Sequence, residues 1–293
     1  NLFNSLNDYI LMFNDFLWTY ILIAVLIALG IYFTVKTNFV QFKNIKEMFR
    51  LLSEGSSSSE KGSISSFQAF CIGTASRVGT GNLAGVATAI AIGGPGAIFW
   101  MWVIAFFGMA TIYAEATLAQ ETRIRGKDGT IQGGPVYYIT TAFKGGFGKF
   151  LAGFFAIAII LALGCFGCMV QSNSIGSTIH TAFGIPSWTV GVVLVIICGF
   201  IFLGGVDRLA SVTEKIVPIM AGFFLLGALI VLIIRIKYVP ATFGMIFKYA
   251  FEPQAIIGGG LGSALKIAIS QGAKRGLFSN EAGMGSTPHA HAL

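Results

Sequence analysis

The sequence predicts an all-α polytopic membrane protein, and three observations carry that prediction. Hydrophobic residues make up 55% of the chain and charged residues 11%, where soluble domains carry roughly 25% charge. The apolar residues fall in blocks near the length of about 20 that a helix needs to cross a bilayer. The cations gather between alternate blocks, as they do where basic loops stay on the cytoplasmic side.

Seven blocks qualify: residues 12–35, 67–93, 96–119, 150–182, 187–205, 215–236 and a glycine-rich stretch at 254–275. The first is too long, and its flank too poor in Lys and Arg, for a signal peptide. Lys36, Lys43, Lys46, Arg50 and Lys61 lie in loop 36–66, and Arg123, Arg125, Lys127, Lys144 and Lys149 in loop 120–149. Both loops are therefore expected in the cytoplasm, with the N-terminus outside a plasma or inner membrane. The turns at 93–96 and 183–186 hold no cation and 206–214 holds Arg208; the stretch 237–253, with Lys237 and Lys248 after Arg235, breaks the alternation. The net charge of +7 reads as this topology signal rather than as a nucleic-acid footprint.

Along the chain, the Ser-rich segment 53–66 is a cytoplasmic connector that sets a peripheral first helix apart from the rest, and Ser65 or Ser66 caps the next helix. Gly93-Gly94-Pro95-Gly96 is a tight external turn, and Trp100 and Trp102 come after it at the depth of an aromatic belt. Segment 150–182 is long for one crossing, so it must tilt or protrude. Cys165-Phe-Gly-Cys168 spells CxxC, but it sits in an apolar helix without a second CxxC or a nearby His; with Cys71 and Cys198 it reads as small core residues. The chain begins with Asn1 and stops at Leu293, straight after a signature-like stretch, and function is expected to require residues beyond Leu293.

One feature conflicts with an ordinary span. Gly79-Thr80-Gly81-Asn82 lies about a dozen residues into the block 67–93, where unpaired backbone survives only if it lines a cavity or is buried in protein. A helix interrupted there frees carbonyls on one side, suited to a small cation, and amides on the other, suited to a carboxylate. An ion-coupled carrier needs that pairing. The plainer readings are a close-packing glycine pair, Gly81 and Gly85, and a dinucleotide fingerprint, which the spacing misses by one residue and which no strand precedes. A second cluster, Gly258-Gly259-Gly260-Leu261-Gly262, appears five spans later. Paired glycine-interrupted segments in two halves point to a transporter site. This divides the chain into 1–66, a first five-helix repeat at 67–253, and the incomplete start of a second repeat, of opposite topology, at 254–293.

These residues resemble a known family. VGTGNLAGVATAIAIGGPGAIFWMWVIAFFGMAT with Glu115, GGPVYYI at 133–139 and RGLFSNEAGMGSTPHAHA at 275–292 look like signatures of the sodium:alanine (or glycine) symporter family. The match runs from residue 67 to the end and departs from the family where Gly260 replaces a common aromatic. The resemblance implies a LeuT-type fold of two inverted five-helix repeats after one additional helix. It also implies cotransport of sodium with a small neutral amino acid, and no enzymatic cofactor.

On that reading Gly79, Thr80, Gly81 and Asn82 bind substrate, while carbonyls near Arg77 and Val78 help hold sodium, with other ligands beyond Leu293. Gln171, a polar amide on a stripe with Gly164, Cys168 and Ser172, either contacts substrate or bonds a neighbouring helix. Gly259, Gly260 and Gly262 are assigned to the facing break. Ser279, Asn280 and Glu281 come after the cationic Lys274-Arg275, hence lie near the cytoplasmic face as gating or capping groups. Arg77 and Glu115 are either an ion pair or interfacial. Residues 67–93 hold no Asp, Glu or His, which favours sodium over a proton-coupled carrier. The rivals are a channel and an intramembrane hydrolase or metal site using His289, His291, Ser279 and Glu281, although His-x-His on a helix splays its rings about 200° apart.

Overall fold

Helices dominate the computed structural model, which describes residues 2–53, 65–126, 131–251 and 261–292. Helix α1 (Leu2–Phe16) widens into π-helical turns at Leu17–Leu22 and continues as α2 (Ile23–Lys36). Two short helices, α3 (Val40–Lys43) and α4 (Ile45–Ser53), occupy part of the loop expected at 36–66. Then come α5 (Ser66–Arg77), α6 (Thr80–Gly93) and α7 (Gly96–Glu121). A small antiparallel hairpin, β1 (Ile124–Arg125) and β2 (Ile131–Gln132), sets Ile124 opposite Gln132. Helices α8 (Pro135–Ala142) and α9 (Gly146–Ile159) are next, and α9 passes through π-helical turns at Ile160–Gly167 into α10 (Cys168–Phe183). The chain ends with α11 (Ser187–Phe202), α12 (Gly205–Ile234), α13 (Val239–Phe251), α14 (Leu261–Asn280) and α15 (Thr287–His291).

Four stretches are long and apolar enough to cross a membrane: Ser5–Lys36, Gly96–Glu121, Gly146–Phe183 and Gly205–Ile234. The 38-residue stretch Gly146–Phe183 is about 57 Å long, against a hydrocarbon core of about 30 Å. Helices Thr80–Gly93 and Ser187–Phe202 are apolar but shorter. The loop expected at 206–214 lies inside α12. Its cation is accommodated locally, since Arg208 donates to the Phe200 carbonyl at 2.8 Å and stands 4.7 Å over the Phe200 ring. The stretch 237–253 is likewise mostly helical, as α13.

Local sequence explains the helix ends. Ser65 accepts from the Gln68 amide, and the Gln68 side chain accepts from the Ser65 amide, a reciprocal capping box. Gly94, at φ +72°, makes the turn between α6 and α7.

The chain divides into two compact units, one of residues 1–45, 81–114 and 230–283, the other of 46–80, 115–229 and 284–293. In the first, Ile23, Ile104, Ala273 and Leu277 form a core with Trp18, Leu26 and Ile27 against it. Trp100 donates to the Ala250 carbonyl at 3.0 Å, and Trp102 lies by Phe243 and Phe247, so both indoles pack on α13. Helix α14 runs alongside α7, with Gly272 at Ala97 and Gly276 at Ile104. It runs antiparallel to α6, with Gly81 facing Phe278, Gly85 facing Arg275 and Gly93 facing Ala268 and Gln271. Small residues at each crossing let the backbones approach closely.

In the second unit α8 packs on α9, α10 on α11, and α15 on α5. Gln68 donates to Glu214 of α12 at 2.8 Å, fixing the start of α5. The α10–α11 hairpin turns at Gly184, φ +71°, and closes where Gly176 meets Ser187.

The Tyr249 backbone carbonyl fills the space that a side chain at Gly96 would need. Gly96→Ala is therefore expected to lower the melting temperature of the purified protein, because two backbones must separate. Nothing lies within 4 Å of a Cβ at Gly191, and Gly191→Ala in α11 should gain about 0.5–1 kcal/mol. Thermal unfolding in detergent compares the two.

Candidate functional site

Helices α5 and α6 divide the segment that holds the glycine motif. At Val78 the backbone turns extended (φ −81°, ψ 96°), although its amide still reaches the Thr74 carbonyl at 2.9 Å. Val78 and Gly79 are the two residues outside helix; Thr80, Gly81 and Asn82 form the first turn of α6. The interruption thus falls slightly earlier than the motif's centre.

Gln171 of α10 reaches this joint. Its side-chain oxygen accepts from the Thr80 amide at 3.3 Å, satisfying one of the amides a helix start leaves without a partner. Of the two roles weighed for Gln171, the bond to a neighbouring helix is made. Gly79 permits the approach, since a Cβ there would come within 2.5 Å of Gln171 Nε2.

The first turn of α6 also meets the last turn of α14. A Cβ on Gly81 would stand 2.9 Å from the Phe278 ring, and the Ser279 hydroxyl donates to the Asn82 side-chain oxygen. Ser279, expected at a cytoplasmic gate, is therefore joined to the glycine motif. Of the two cations there, Lys274 pairs with Asp15 of α1, and the methylene stem of Arg275 lies along Gly85.

A second interruption separates α14 from α15. Glu281 adopts a left-handed conformation (φ +54°) after its amide bonds the Leu277 carbonyl, and Gly283 (φ +80°) and Gly285 (φ +75°) keep the chain out of helix until Thr287. Left-handed backbone is open to glycine without steric cost, which is why this stretch can turn. Gly262 instead stands in the first turn of α14, while Gly259 and Gly260 lie outside the described residues. Two buried polar atoms, Asn280 Nδ2 before this interruption and Thr287 Oγ1 after it, have no hydrogen-bond partner among the described residues.

Helix α15 is seated by glycines of the GGPVYYI segment. Gly133 meets Ala292, Gly134 meets His289, and Gly285 meets Pro135 and Phe155. The His289 ring stacks on Phe155 (6.2 Å, 9°), while His291 Nε2 lies 3.5 Å from the Arg77 guanidinium beside Gly73. The two imidazoles thus face different neighbours, and among the described residues no three His, Cys, Asp or Glu side chains gather as metal ligands would. Nearby, burial and then the Glu115 carboxylate push the Tyr138 phenol well above its usual range, so it remains a neutral hydroxyl.

A multi-pass helical membrane protein is the class that these features define. The chain belongs to the Sodium:alanine symporter family, whose model matches residues 3–293. It is 46% identical over 279 residues to the "Probable sodium/glutamine symporter GlnT" of Bacillus subtilis (95% of this chain, 57% of that protein). With the "Putative sodium/proton-dependent alanine carrier protein YrbD" of the same organism it shares 45% over 285 residues (97% and 57%). With the "Sodium/alanine symporter AgcS" of Methanococcus maripaludis it shares 42% over 281 residues (95% and 61%). The chain spans about three fifths of the length of these relatives. The family is one of transporters, not enzymes.

Gly79→Ala is expected to displace the Gln171 side chain and release the Thr80 amide. In a double-mutant cycle with Gln171→Ala the two changes should be non-additive by about 0.5–3 kcal/mol, read from unfolding of the purified protein. Additive effects would mean that the two residues do not act together.

Proposed function

We propose that the whole protein is a secondary active symporter that couples inward movement of sodium to uptake of a small neutral amino acid, alanine or glycine, by alternating access. The observation that carries this reading is the pair of interrupted helices, α5/α6 and α14/α15, with α6 packed antiparallel on α14 and α5 packed on α15. Inverted repeats of the LeuT type would bring their first helices together in this way. The first repeat then occupies 67–253, the second begins at 254, and residues 1–66 precede the core, with the N-terminus outside and loops 36–66 and 120–149 in the cytoplasm.

In this reading the amides of Gly81 and Asn82, with the Thr80 hydroxyl and the Asn82 side-chain amide, face the substrate carboxylate, aided by the partial positive charge of a helix start. Carbonyls at Arg77 and Val78, turned from the helical ladder by the extended Val78, contribute to the sodium site. Gln171 positions Thr80. Gly259, Gly260 and Gly262 are assigned to the facing break, and Ser279, Asn280 and Glu281 to the gate.

Uptake of labelled alanine and glycine into proteoliposomes, using the gene at its natural length, tests the proposal. A sodium gradient should drive accumulation that choline does not, and a pH gradient alone should not replace it. Asn82→Ala should lower uptake about 10- to 100-fold, the worth of a hydrogen bond to a charged group, while the protein still inserts. Unaltered transport by Asn82→Ala would overturn the assignment. Accumulation driven by protons without sodium would overturn the coupling ion.

A further inference from the structure

Helix α4 takes no part in the transport site, and its composition is unlike that of the spans. Its sequence, IKEMFRLLS, projects Ile45, Met48, Phe49, Leu51 and Leu52 into an arc of about 160°. Lys46, Glu47 and Arg50 fill the opposite side. The apolar face is uncovered among the described residues: Phe49 is 63% exposed, Met48 50%, Ile45 44% and Leu51 42%. A helix of nine residues is too short to cross a bilayer. An uncovered apolar stripe on a charged helix is the pattern of a segment lying in the interfacial plane.

Position along the chain says which surface is within reach. The membrane-spanning stretch Ser5–Lys36 ends nine residues before Ile45. At no more than about 3.6 Å per residue, α4 starts within about 32 Å of that end, and part of the tether is contracted into α3. Its charge is suited to anionic headgroups. Lys43, Lys46 and Arg50 stand against the single acid Glu47, which pairs with Arg50. Long basic side chains can lay their stems along the apolar boundary and hold their charges at headgroup level.

We propose that α4 is an interfacial helix, docked by Ile45, Met48, Phe49, Leu51 and Leu52 into the leaflet where α2 ends, with Lys43, Lys46 and Arg50 binding anionic phospholipid headgroups. The occupant of the apolar face is lipid, not a second protein segment. This rests on the membrane-spanning character of the chain and not on its substrate or coupling ion.

The test uses the full natural chain reconstituted in vesicles of phosphatidylcholine with phosphatidylglycerol. The fluorescent residue dansylalanine is placed at Phe49 or, in a second protein, at Glu47. At Phe49, lipids brominated on the acyl chain should quench the fluorophore and aqueous iodide should not; at Glu47 the order should reverse. Vesicles of phosphatidylcholine alone, or Lys43→Gln with Lys46→Gln, should weaken docking by about fivefold per cation lost. Protection of Phe49 from both quenchers would show a protein surface over this face and overturn the proposal. Iodide quenching at both positions would show a solvated helix and overturn it equally. Bromolipid quenching at Phe49 that ignores phosphatidylglycerol would overturn the headgroup half.

Discussion

In hydrocarbon, a backbone amide or carbonyl released from a helix must find another partner, and no water stands ready to supply one. The chain leaves helix at 78–79, between α5 and α6, and at 281–286, between α14 and α15, and several nearby contacts supply partners there. Gln171 takes the Thr80 amide; Ser279 takes the Asn82 side chain; α14 lies antiparallel along α6 through glycine and alanine contacts. The glycines of the GGPVYYI segment make room for α15, which places His291 against Arg77 at the other end of the same interruption.

Sequence patterning carried the elements whose causes are local. The long spans arise from uninterrupted apolar blocks, the start of α5 from Ser65 and Gln68, the α6–α7 turn from Gly94, and the first interruption from Gly79. Each of these depends on residues a few positions apart. The turn at 281–286, by contrast, uses two glycines and a glutamate held left-handed, a conformation that a glutamate does not announce.

The charged residues show the same division. Lys274 reads as a cation near the edge of the membrane, and in the structure it is also matched by Asp15, 259 residues away. Arg208 marked a loop until its contacts with Phe200 allowed α12 to run through it. Counting cations locates connectors well only where each cation lacks a partner within the fold, and a single sequence does not display its long-range partners. For the candidate site, the residues at the first break were legible as a group, whereas the contribution of Phe278 and Ser279 required the antiparallel register of α6 and α14.

That register also sets a timetable for synthesis. Asn82 and its partner Ser279 are 197 residues apart, so at about 5–20 residues per second the ribosome delivers α14 some 10–40 s after α6. Arg77 waits longer still for His291, 214 residues on. During that interval α5 and α6, short and jointed, are in the growing protein without the helices that complete them. These contacts thus form well after their first partners are made, and the nascent chain must be kept from pairing α5 and α6 wrongly until α14 and α15 arrive.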